Sequence, residues 1–578
     1  MSGLTPPPPA PPTPDPPPDM CGVPQIVRGN PAPLSTSLAG FSARAARNRC
    51  CITFIDPVPD LLSGLGITTA GDKLTSGGRP VKGIAADSAA RVLLLIPVRN
   101  KGDVLHVSVT GATTPESMGG MYNLDDPGFG SNVQPSLDVK ASYKDAQGNA
   151  WAIAVYRAPS DFVDTNDSDA YTRVTRTMQF QATAGGYGVN GELTIVRPPV
   201  VLVHGLWDSP ALWKNFLSDA NKDPRFMEVD KANYSVNLNG KIASDSDCVY
   251  PLCSVFLATG IHQNGNQLGF VHNAPFVMKT IKTAINNLRT KDPNNPVAVA
   301  QADVVAHSMG GVVTRQAESL PEFADESSFG VGSIHKLITV GTPHLGSPFA
   351  TRLLHEGCMT FLKAMQGYIV FGERVNFIDG QPSEHGAIFD MQGSPTGLAP
   401  SGLSEALTKL NNRTGFGVPT HLIAGSMTDA NFNLQNTSGV AATLALACDT
   451  TSFQIGPVPV PNPLTAQMGR SPMATLMQTY EGWQQIFGNT PSDAIVSVAS
   501  QLAGQTQGGT NTDTFTGYIH SDGMVKAYDI PYIHLKINVA LVGPWEIDLP
   551  GGSQIPQKII GLLQTPLSTT GVFQPIPH

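Results

Sequence analysis

A serine in a short turn of small residues is the part of the sequence that most directly indicates a chemistry. Residues 297–320 form a β-branched apolar run, the turn Ala306-His307-Ser308-Met309-Gly310 and a run of helical character. The turn fits the G-x-S-x-G pattern of a nucleophile elbow, with alanine at the first small position. Small residues are needed there because strand and helix nearly touch and the serine backbone is strained. Ser308 is therefore predicted to be a nucleophile.

Composition restricts the class of protein that could carry this chemistry. The chain has 578 residues, with 36 Lys and Arg against 45 Asp and Glu, a net charge of −9. An acidic chain lacks the basic surface of a nucleic-acid binder, so no nucleic-acid partner is expected. No apolar run reaches the roughly eighteen residues of a membrane-spanning helix, so no transmembrane segment is expected. The length allows a large core together with an accessory domain.

Two regions precede the serine segment. Residues 1–40 include the tract PPPPAPPTPDPPP and are predicted to be a disordered proline-rich segment. They lack the basic start and apolar core of a secretory signal. Within residues 41–197, short β-rich runs lie at 92–98, 104–109, 136–143, 150–157 and 173–182, between clusters of Gly, Asp, Asn and Pro. This spacing predicts an amino-terminal β-sandwich domain of immunoglobulin-like type.

After Pro198-Pro199 the pattern changes to alternating strands and helices. A fully apolar run at 200–203 ends in HGLW at 204–207, and a helix-like segment follows at 209–217. Apolar residues recur at helical spacing from Val277 to Leu288, and further helix-like residues lie at 556–563. Short strands are predicted at 338–340 and 421–424. This alternation predicts an α/β fold with an open, mainly parallel sheet and its site at the carboxyl ends of the strands.

Four motifs in this region make the prediction more specific. VVLVHGLW, AHSMGG, GTPHLGSP and SDAIVSVASQ follow one another along the chain. Together they resemble the α/β-hydrolases of the bacterial lipase and esterase type, including those with alanine before the nucleophilic serine. The resemblance implies a catalytic domain at 198–578 with the α/β-hydrolase fold. A methionine- and aromatic-bearing insertion at about 357–411 is interpreted as a cap or lid, or alternatively as a core helix pair, and a loop insertion is expected at about 428–489.

A serine hydroxyl is a poor nucleophile at neutral pH, so it needs a base and a carboxylate that orients the base. In the family resembled, the order along the chain is serine, acid, histidine. Asp493 matches the family's S/N-D-G-x-V segment, with Ala494 where glycine is usual, and is the predicted acid. Asp429 is the alternative acid. His534 is the predicted base and His520 the alternative.

The resemblance also assigns the remaining site residues. The backbone N–H groups of Leu206 and Met309 are predicted to form the oxyanion hole. Trp207 and His307 are assigned to the substrate pocket, although His307 points away from the reaction centre in the family. No metal or other cofactor is needed for this mechanism, and the scattered cysteines and histidines lack the regular spacing of a zinc site.

The sequence therefore predicts a serine carboxylic-ester hydrolase that acts on hydrophobic acyl esters, either lipid or aliphatic or aromatic polyester, through an acyl-enzyme. An acyltransferase or amidase with the same triad is one alternative. A catalytically inactive protein whose sandwich binds a surface or polymer is another. A monomer is expected. A sandwich ahead of a lipase-like domain favours an extracellular or periplasmic location, although no signal peptide is visible.

Overall fold

The computed structural model describes residues 51–57, 78–124, 132–144, 148–167, 169–206, 208, 210–214, 216, 223, 225–234, 269–355, 387–394, 402–413, 417–431, 452–455, 458–461, 476, 479–520, 545–547 and 554–576. The predicted proline-rich segment 1–40 lies outside these residues. So do much of the predicted cap, at 356–386, and part of the predicted loop insertion, at 432–451.

The strands and helices follow one another along the whole described chain. The strands are β1 (Thr53–Pro57), β2 (Gly78–Pro80), β3 (Gly83–Ala85), β4 (Arg91–Val98), β5 (Val104–Thr110), β6 (Gly120–Asn123), β7 (Ser136–Lys140), β8 (Tyr143–Lys144), β9 (Ala150–Arg157), β10 (Arg176–Ala184), β11 (Tyr187–Val196), β12 (Val200–Val203), β13 (Val229–Ala232), β14 (Val297–Ala298), β15 (Ala302–His307), β16 (Ile334–Val340), β17 (Thr420–Ser426), β18 (Ser452–Ile455), β19 (Val458–Pro461) and β20 (Thr512–Thr516). The α-helices are Pro115–Met118, Phe270–Thr290, Met309–Ala317, Pro348–His355, Ala387–Asp390, Glu405–Asn411, Tyr480–Ile486, Val498–Gln501 and Gln554–Gln564. Short 3-10 helices lie at Pro210–Trp213, Pro321–Ala324, Glu326–Ser328 and Asp429–Asn431.

Two six-stranded sheets enclose one apolar core in the amino-terminal region. One sheet has the order β2-β1-β4-β9-β6, with β8 also paired to β9, and the other has the order β14-β3-β11-β10-β5-β7. Alternate residues of β10 are buried, as expected of a strand with one face on a core. Phe180 from β10 meets Phe54 and Tyr156 from the opposite sheet edge-to-face, each at 5.0 Å between ring centres.

The predicted short strands of this region are confirmed, but the immunoglobulin-like type is not. The strand β3 pairs in parallel with both β11 and β14. An immunoglobulin sandwich is built from antiparallel sheets, and its strands come from one continuous stretch of chain. Here β14 comes from the segment that leads to Ser308, about a hundred residues beyond the other strands.

A six-stranded parallel sheet forms the second region and confirms the predicted α/β fold. Its order is β13-β12-β15-β16-β17-β20, and every neighbouring pair is parallel. The helices Phe270–Thr290 and Met309–Ala317 share a core with one face of β12 and β15. The helix Gln554–Gln564 packs on the other face, where Ile559 shares a core with Leu202 and Val305. Helices on both faces cover the sheet, which explains why every residue of its central strands β12, β15, β16 and β17 is buried.

A buried carboxylate joins the two regions just ahead of the elbow strand. Asp87 Oδ1 accepts hydrogen bonds from the backbone of Ala89 and Ala90 in the amino-terminal region, at 3.1 and 2.7 Å. Its Oδ2 accepts from the backbone of Ala300 and Gln301, at 2.7 and 3.1 Å. These bonds fix the chain immediately before β15, at the opposite end of that strand from Ser308. The predicted domain division at 197/198 falls between β11 and β12 and stays a prediction.

None of the helices in the described part of the chain combines the length and apolarity that crossing a bilayer requires.

Candidate active site

Ser308 occupies a strained turn between a strand and a helix. It follows β15 directly and precedes the helix Met309–Ala317. Its φ is 55° and its ψ is −134°, a conformation that a residue with a side chain adopts only when its surroundings enforce it. The Ser308 N–H donates to the carbonyl of Val340 on the neighbouring strand at 2.8 Å, which helps to hold this conformation. The side chain is thereby directed out of the carboxyl edge of the sheet.

Two glycines, Gly205 and Gly310, allow the 204–206 loop to approach the turn at Ser308. A Cβ at Gly205 would lie 2.7 Å from Ser308 Cβ and 3.1 Å from its Oγ. A Cβ at Gly310 would lie 2.4 Å from the His204 carbonyl oxygen and 2.8 Å from that of Val203. The 204–206 loop is therefore packed directly on the elbow. These small residues allow the close approach of chain segments at the elbow that the sequence motif predicts.

The glycine at the elbow gives a direct test of this packing. We expect Gly310→Ala to lower the free energy of unfolding by about 1–3 kcal/mol, because its methyl group would overlap backbone oxygens that cannot move freely. Gly561→Ala is the matched control, since a Cβ there meets nothing within 4 Å inside the helix Gln554–Gln564. That change should raise stability by roughly 0.5–1 kcal/mol. Urea unfolding of both variants checks the contrast, and equal effects would contradict it.

His520 and Asp493 complete a hydrogen-bonded chain with Ser308. His520 Nε2 lies 2.6 Å from Ser308 Oγ, and His520 Nδ1 lies 2.7 Å from Asp493 Oδ2. The backbone N–H of His520 also donates to the Asp493 carbonyl at 3.0 Å. All three side chains are buried. Such a chain of contacts is the geometry of a nucleophile, its base and the residue that orients the base.

The histidine in this chain is the alternative of the two that the sequence offered. His534, the predicted base, lies outside the described residues. Both nitrogens of His520 are engaged by Ser308 and Asp493. We therefore propose His520 in place of His534 as the base, because its imidazole occupies the position that a base for Ser308 requires.

A local turn orients the Asp493 carboxylate. Its Oδ1 accepts hydrogen bonds from the backbone of Ile495 at 2.9 Å and of Val496 at 2.6 Å, which leaves Oδ2 for His520. Ala494, at the position where the family motif has glycine, has a φ of 82°. Asp429, the alternative acid, is exposed in the 3-10 helix Asp429–Asn431. The structure therefore brings Asp493, and not Asp429, to the histidine.

Two further buried histidines surround the serine and are electrically neutral at pH 7. Burial lowers the pKa of His307 well below its usual value and that of His204 to about 4. His307 Nε2 lies 3.1 Å from the carbonyl oxygen of His520. A carbonyl can only accept, so the proton of His307 is on Nε2. His307 lines the cavity, as predicted, but this nitrogen faces the His520 backbone.

A cavity with a largely apolar wall opens in front of Ser308. Leu206, predicted for the oxyanion hole, lies on its wall, and Trp207, predicted for the substrate pocket, lies outside the described residues. Met309 is fully buried at the first position of its helix, where a backbone N–H has no partner within the helix. The apolar lining consists of Leu206, Pro343, Phe349, Ala350, Ile388, Met391, Ile495 and Val496.

A second buried carboxyl group lies beside the histidine. Glu546 is completely buried, and its Oε2 is 3.2 Å from His307 Nε2 and 3.7 Å from His520 Nδ1. No motif in the sequence pointed to it. The only signal was an acidic residue in the otherwise uncharged run VGPWEI at 542–547.

One group of side chains in the described part of the chain could supply three metal ligands. His307, His520 and Glu546 each offer one ligand atom, and these atoms lie within 4.8 Å of one another. A metal ion bound through either nitrogen of His520 would displace a hydrogen bond to Ser308 or Asp493. The arrangement therefore fits proton transfer to and from Ser308 better than metal binding.

Comparison with known proteins supports the same fold type. The family model described as PGAP1-like alpha/beta domain matches residues 197–366, less than a third of the chain. This segment contains the loop at 204–206 and the elbow at Ser308. The match and the parallel sheet confirm the predicted resemblance to α/β-hydrolases of the lipase and esterase type. At the level of the family, they support hydrolysis.

Two solved structures of one enzyme are also similar. The mature form of the Bacillus licheniformis lipase BlEst2 is 13% identical, with a TM-score of 0.27, over 59% of this chain and 88% of that one. Its propeptide form is 14% identical, with a TM-score of 0.24, over 43% of this chain and 40% of that one. No curated protein sequence matches the chain.

Proposed function

We propose that this chain is a serine carboxylic-ester hydrolase that forms an acyl-enzyme on Ser308. The observation that carries the proposal is the contact of 2.6 Å between Ser308 Oγ and His520 Nε2, with the Asp493 carboxylate on the opposite ring nitrogen. An ordinary buried serine does not require a histidine that is itself held by a carboxylate. The strained backbone of Ser308 points the same way, because such strain is concentrated at functional sites.

The direction of proton transfer follows from the hydrogen bonds. The Asp493 carboxylate can only accept, so His520 carries its proton on Nδ1 and presents a lone pair on Nε2 to Ser308. His520 then takes the hydroxyl proton as Ser308 attacks the ester carbonyl carbon. It gives that proton to the leaving alcohol, and the acyl group remains on Ser308. Water, deprotonated by His520, releases the acid and restores the serine.

The oxyanion formed in each half of the reaction needs hydrogen-bond donors. We assign this role to the backbone N–H groups of Leu206 and Met309. Met309 begins the helix that follows Ser308, so an oxyanion bound to its N–H is also stabilised by the positive end of the helix dipole. The loop that carries Leu206 touches the elbow through Gly205. These contacts support a site in which two donors flank the reacting carbonyl group.

The cavity wall supports a hydrophobic acyl group as substrate. The part of its lining away from Ser308, His307, His520, Ser347 and Asp208 is aliphatic, with Phe349 as an aromatic member, and such a wall suits an apolar group. A lipid or a polyester ester would meet this requirement. We further propose that the amino-terminal sheets act as an accessory domain and that the enzyme works outside the cytoplasm.

Reaction with a fluorophosphonate probe tests the proposed nucleophile. We expect stoichiometric labelling of the wild-type chain at the peptide that contains Ser308, because the activated hydroxyl attacks phosphorus as it attacks an ester. Ser308→Ala should not be labelled, while Ser319→Ala, at an exposed serine beyond the same helix, should be labelled like wild type. Mass spectrometry of the digested protein identifies the site.

An unlabelled wild-type protein, or labelling that survives Ser308→Ala, would overturn the proposal. If the chain is labelled, a panel of p-nitrophenyl esters from short to long acyl chains, together with lipid emulsions and polyester particles, identifies the preferred acyl group. Adding an acceptor alcohol and measuring the ester formed separates hydrolysis from acyl transfer.

A further inference from the structure

Glu546 lies in direct contact with the machinery assigned to Ser308 but has no role in the steps described. It is fully buried, and its backbone N–H donates to the carbonyl of Ile519 at 3.0 Å, next to His520. Its carboxyl group and that of Asp493 both approach His520 Nδ1, at 3.7 and 2.7 Å, so the two carboxyl groups are neighbours. On the other side, its Oε2 is 3.2 Å from the protonated Nε2 of His307.

Two glycines make the room that this carboxyl group occupies. A Cβ at Gly341 would lie 2.2 Å from Glu546 Oε2, and a Cβ at Gly425 would lie 2.2 Å from Oε1. Gly425 is held in place by Gln501, whose amide binds its backbone N–H and its carbonyl oxygen at 2.8 and 3.1 Å. Any other residue at either glycine would force the carboxyl group out. The pocket for the Glu546 carboxyl is thus closely fitted.

The charges around Glu546 decide its protonation state. The titratable groups that face it are Asp493, His307 and His520, and His307 is neutral. Two adjacent buried carboxyl groups cannot both be ionised, so the pair shares one proton. Burial, followed by the negative charge of Asp493, raises the pKa of Glu546 well above its usual value. Glu546 is therefore the partner that keeps the proton.

We propose that Glu546 is a positioning residue: a neutral carboxylic acid that donates a hydrogen bond to the Asp493 carboxylate and accepts one from His307. The proposal rests on the proposed function, because it concerns the acid that orients His520. Its effect is to confine one negative charge to Asp493 and to hold that carboxylate together with the Ile495 and Val496 backbone.

The neutral state of Glu546 also matters for the histidine. A second negative charge 3.7 Å from His520 Nδ1 would repel the Asp493 carboxylate and compete with it for the Nδ1 proton, and so turn the imidazole out of line with Ser308. At high pH the loss of the Glu546 proton would supply that charge. Activity should therefore decline at high pH through Glu546, and the decline should disappear when residue 546 cannot ionise.

Two replacements separate the hydrogen bond from the charge. Glu546→Gln keeps a neutral donor and acceptor of the same shape, and we expect kcat at pH 7 within about threefold of wild type. Glu546→Leu keeps the volume but removes both hydrogen bonds. We expect it to lower kcat about 10- to 100-fold, with KM changed less than about twofold, because a misoriented base affects the reaction and not substrate binding.

The pH profile of kcat/KM for a p-nitrophenyl ester gives the second readout. The wild type should lose activity at its alkaline end, and Glu546→Gln should retain it there. Glu318→Gln is the matched control, since Glu318 is also buried, beside Arg315 and Arg413 and not beside the serine. It should leave kcat and the alkaline limb unchanged.

Glu546→Gln would overturn the proposal if it lost as much kcat as Glu546→Leu, since the ionised carboxylate would then be required. Wild-type kinetics in Glu546→Leu would overturn it as well. If Glu546→Leu does not fold, the alkaline limb of the kcat/KM profile of Glu546→Gln is the deciding measurement. An alkaline limb equal to that of the wild type would contradict the proposal. Labelling of the wild type by a fluorophosphonate is measured in parallel. Its absence would remove the proposed function itself, whereas labelling with unaltered Glu546 variants would remove only this inference.

Discussion

Replacement of His520 by alanine is expected to lower kcat by roughly a millionfold, whereas His534→Ala should leave it within about threefold of wild type. The reason is that His520 Nε2 is the base 2.6 Å from Ser308 Oγ, and without it the hydroxyl proton has no acceptor. The residual rate would come from the oxyanion donors and from substrate binding alone. Steady-state hydrolysis of a p-nitrophenyl ester at a known protein concentration, with thermal unfolding to show that each variant is folded, measures both variants.

The double variant Ser308→Ala with His520→Ala controls for the assignment. Since serine and base act as one unit, removing both should cost no more than removing either. If the losses of activation free energy from the two replacements were additive, His520 would act independently of Ser308. A large loss in His534→Ala with little loss in His520→Ala would restore the base predicted from the sequence and contradict the one proposed from the geometry.

The difference between these two histidines shows what the sequence could and could not predict. Ser308 was predictable because strand, turn and helix are adjacent in the chain, so the motif and its context lie within a short window. Asp493 was predictable for a similar reason, since its orientation depends on the backbone of Ile495 and Val496. His520 contacts Ser308 across 212 positions of sequence, and no local pattern indicates which of the two candidate histidines makes that contact.

Strand pairing shows the same division between local and distant information. Alternation and apolar runs predicted the strands of the amino-terminal region because each strand buries one or both faces. They did not predict that β14, next to the elbow strand, would join β3 of that region. Such a pairing depends on hydrogen bonds between segments far apart in sequence, and side-chain periodicity carries no signal for them.

Glu546 escaped prediction because its role contradicts the usual behaviour of its residue type. A glutamate is almost never fully buried without a partner, so sequence alone favours an exposed position. Only the space left by Gly341 and Gly425, together with Asp493 and His307, gives the buried carboxyl its place. These residues come from four separate segments, so the pocket exists only in the folded chain.

The second large effect is expected for Asp493→Asn, which should lower kcat about ten-thousandfold without unfolding the protein. The backbone N–H groups of Ile495 and Val496 require an acceptor, so the amide oxygen of asparagine should take the place of Oδ1. Its NH₂ group must then face His520 Nδ1. A donor at that position selects the tautomer with the proton on Nε2, which presents a hydrogen and not a lone pair to Ser308.

The measurement is kcat near neutral pH, with thermal unfolding to show that Asp493→Asn is folded. Asp429→Asn is the control: its carboxylate is exposed, so kcat should stay within about twofold. A loss in Asp429→Asn with little loss in Asp493→Asn would reverse the choice of acid.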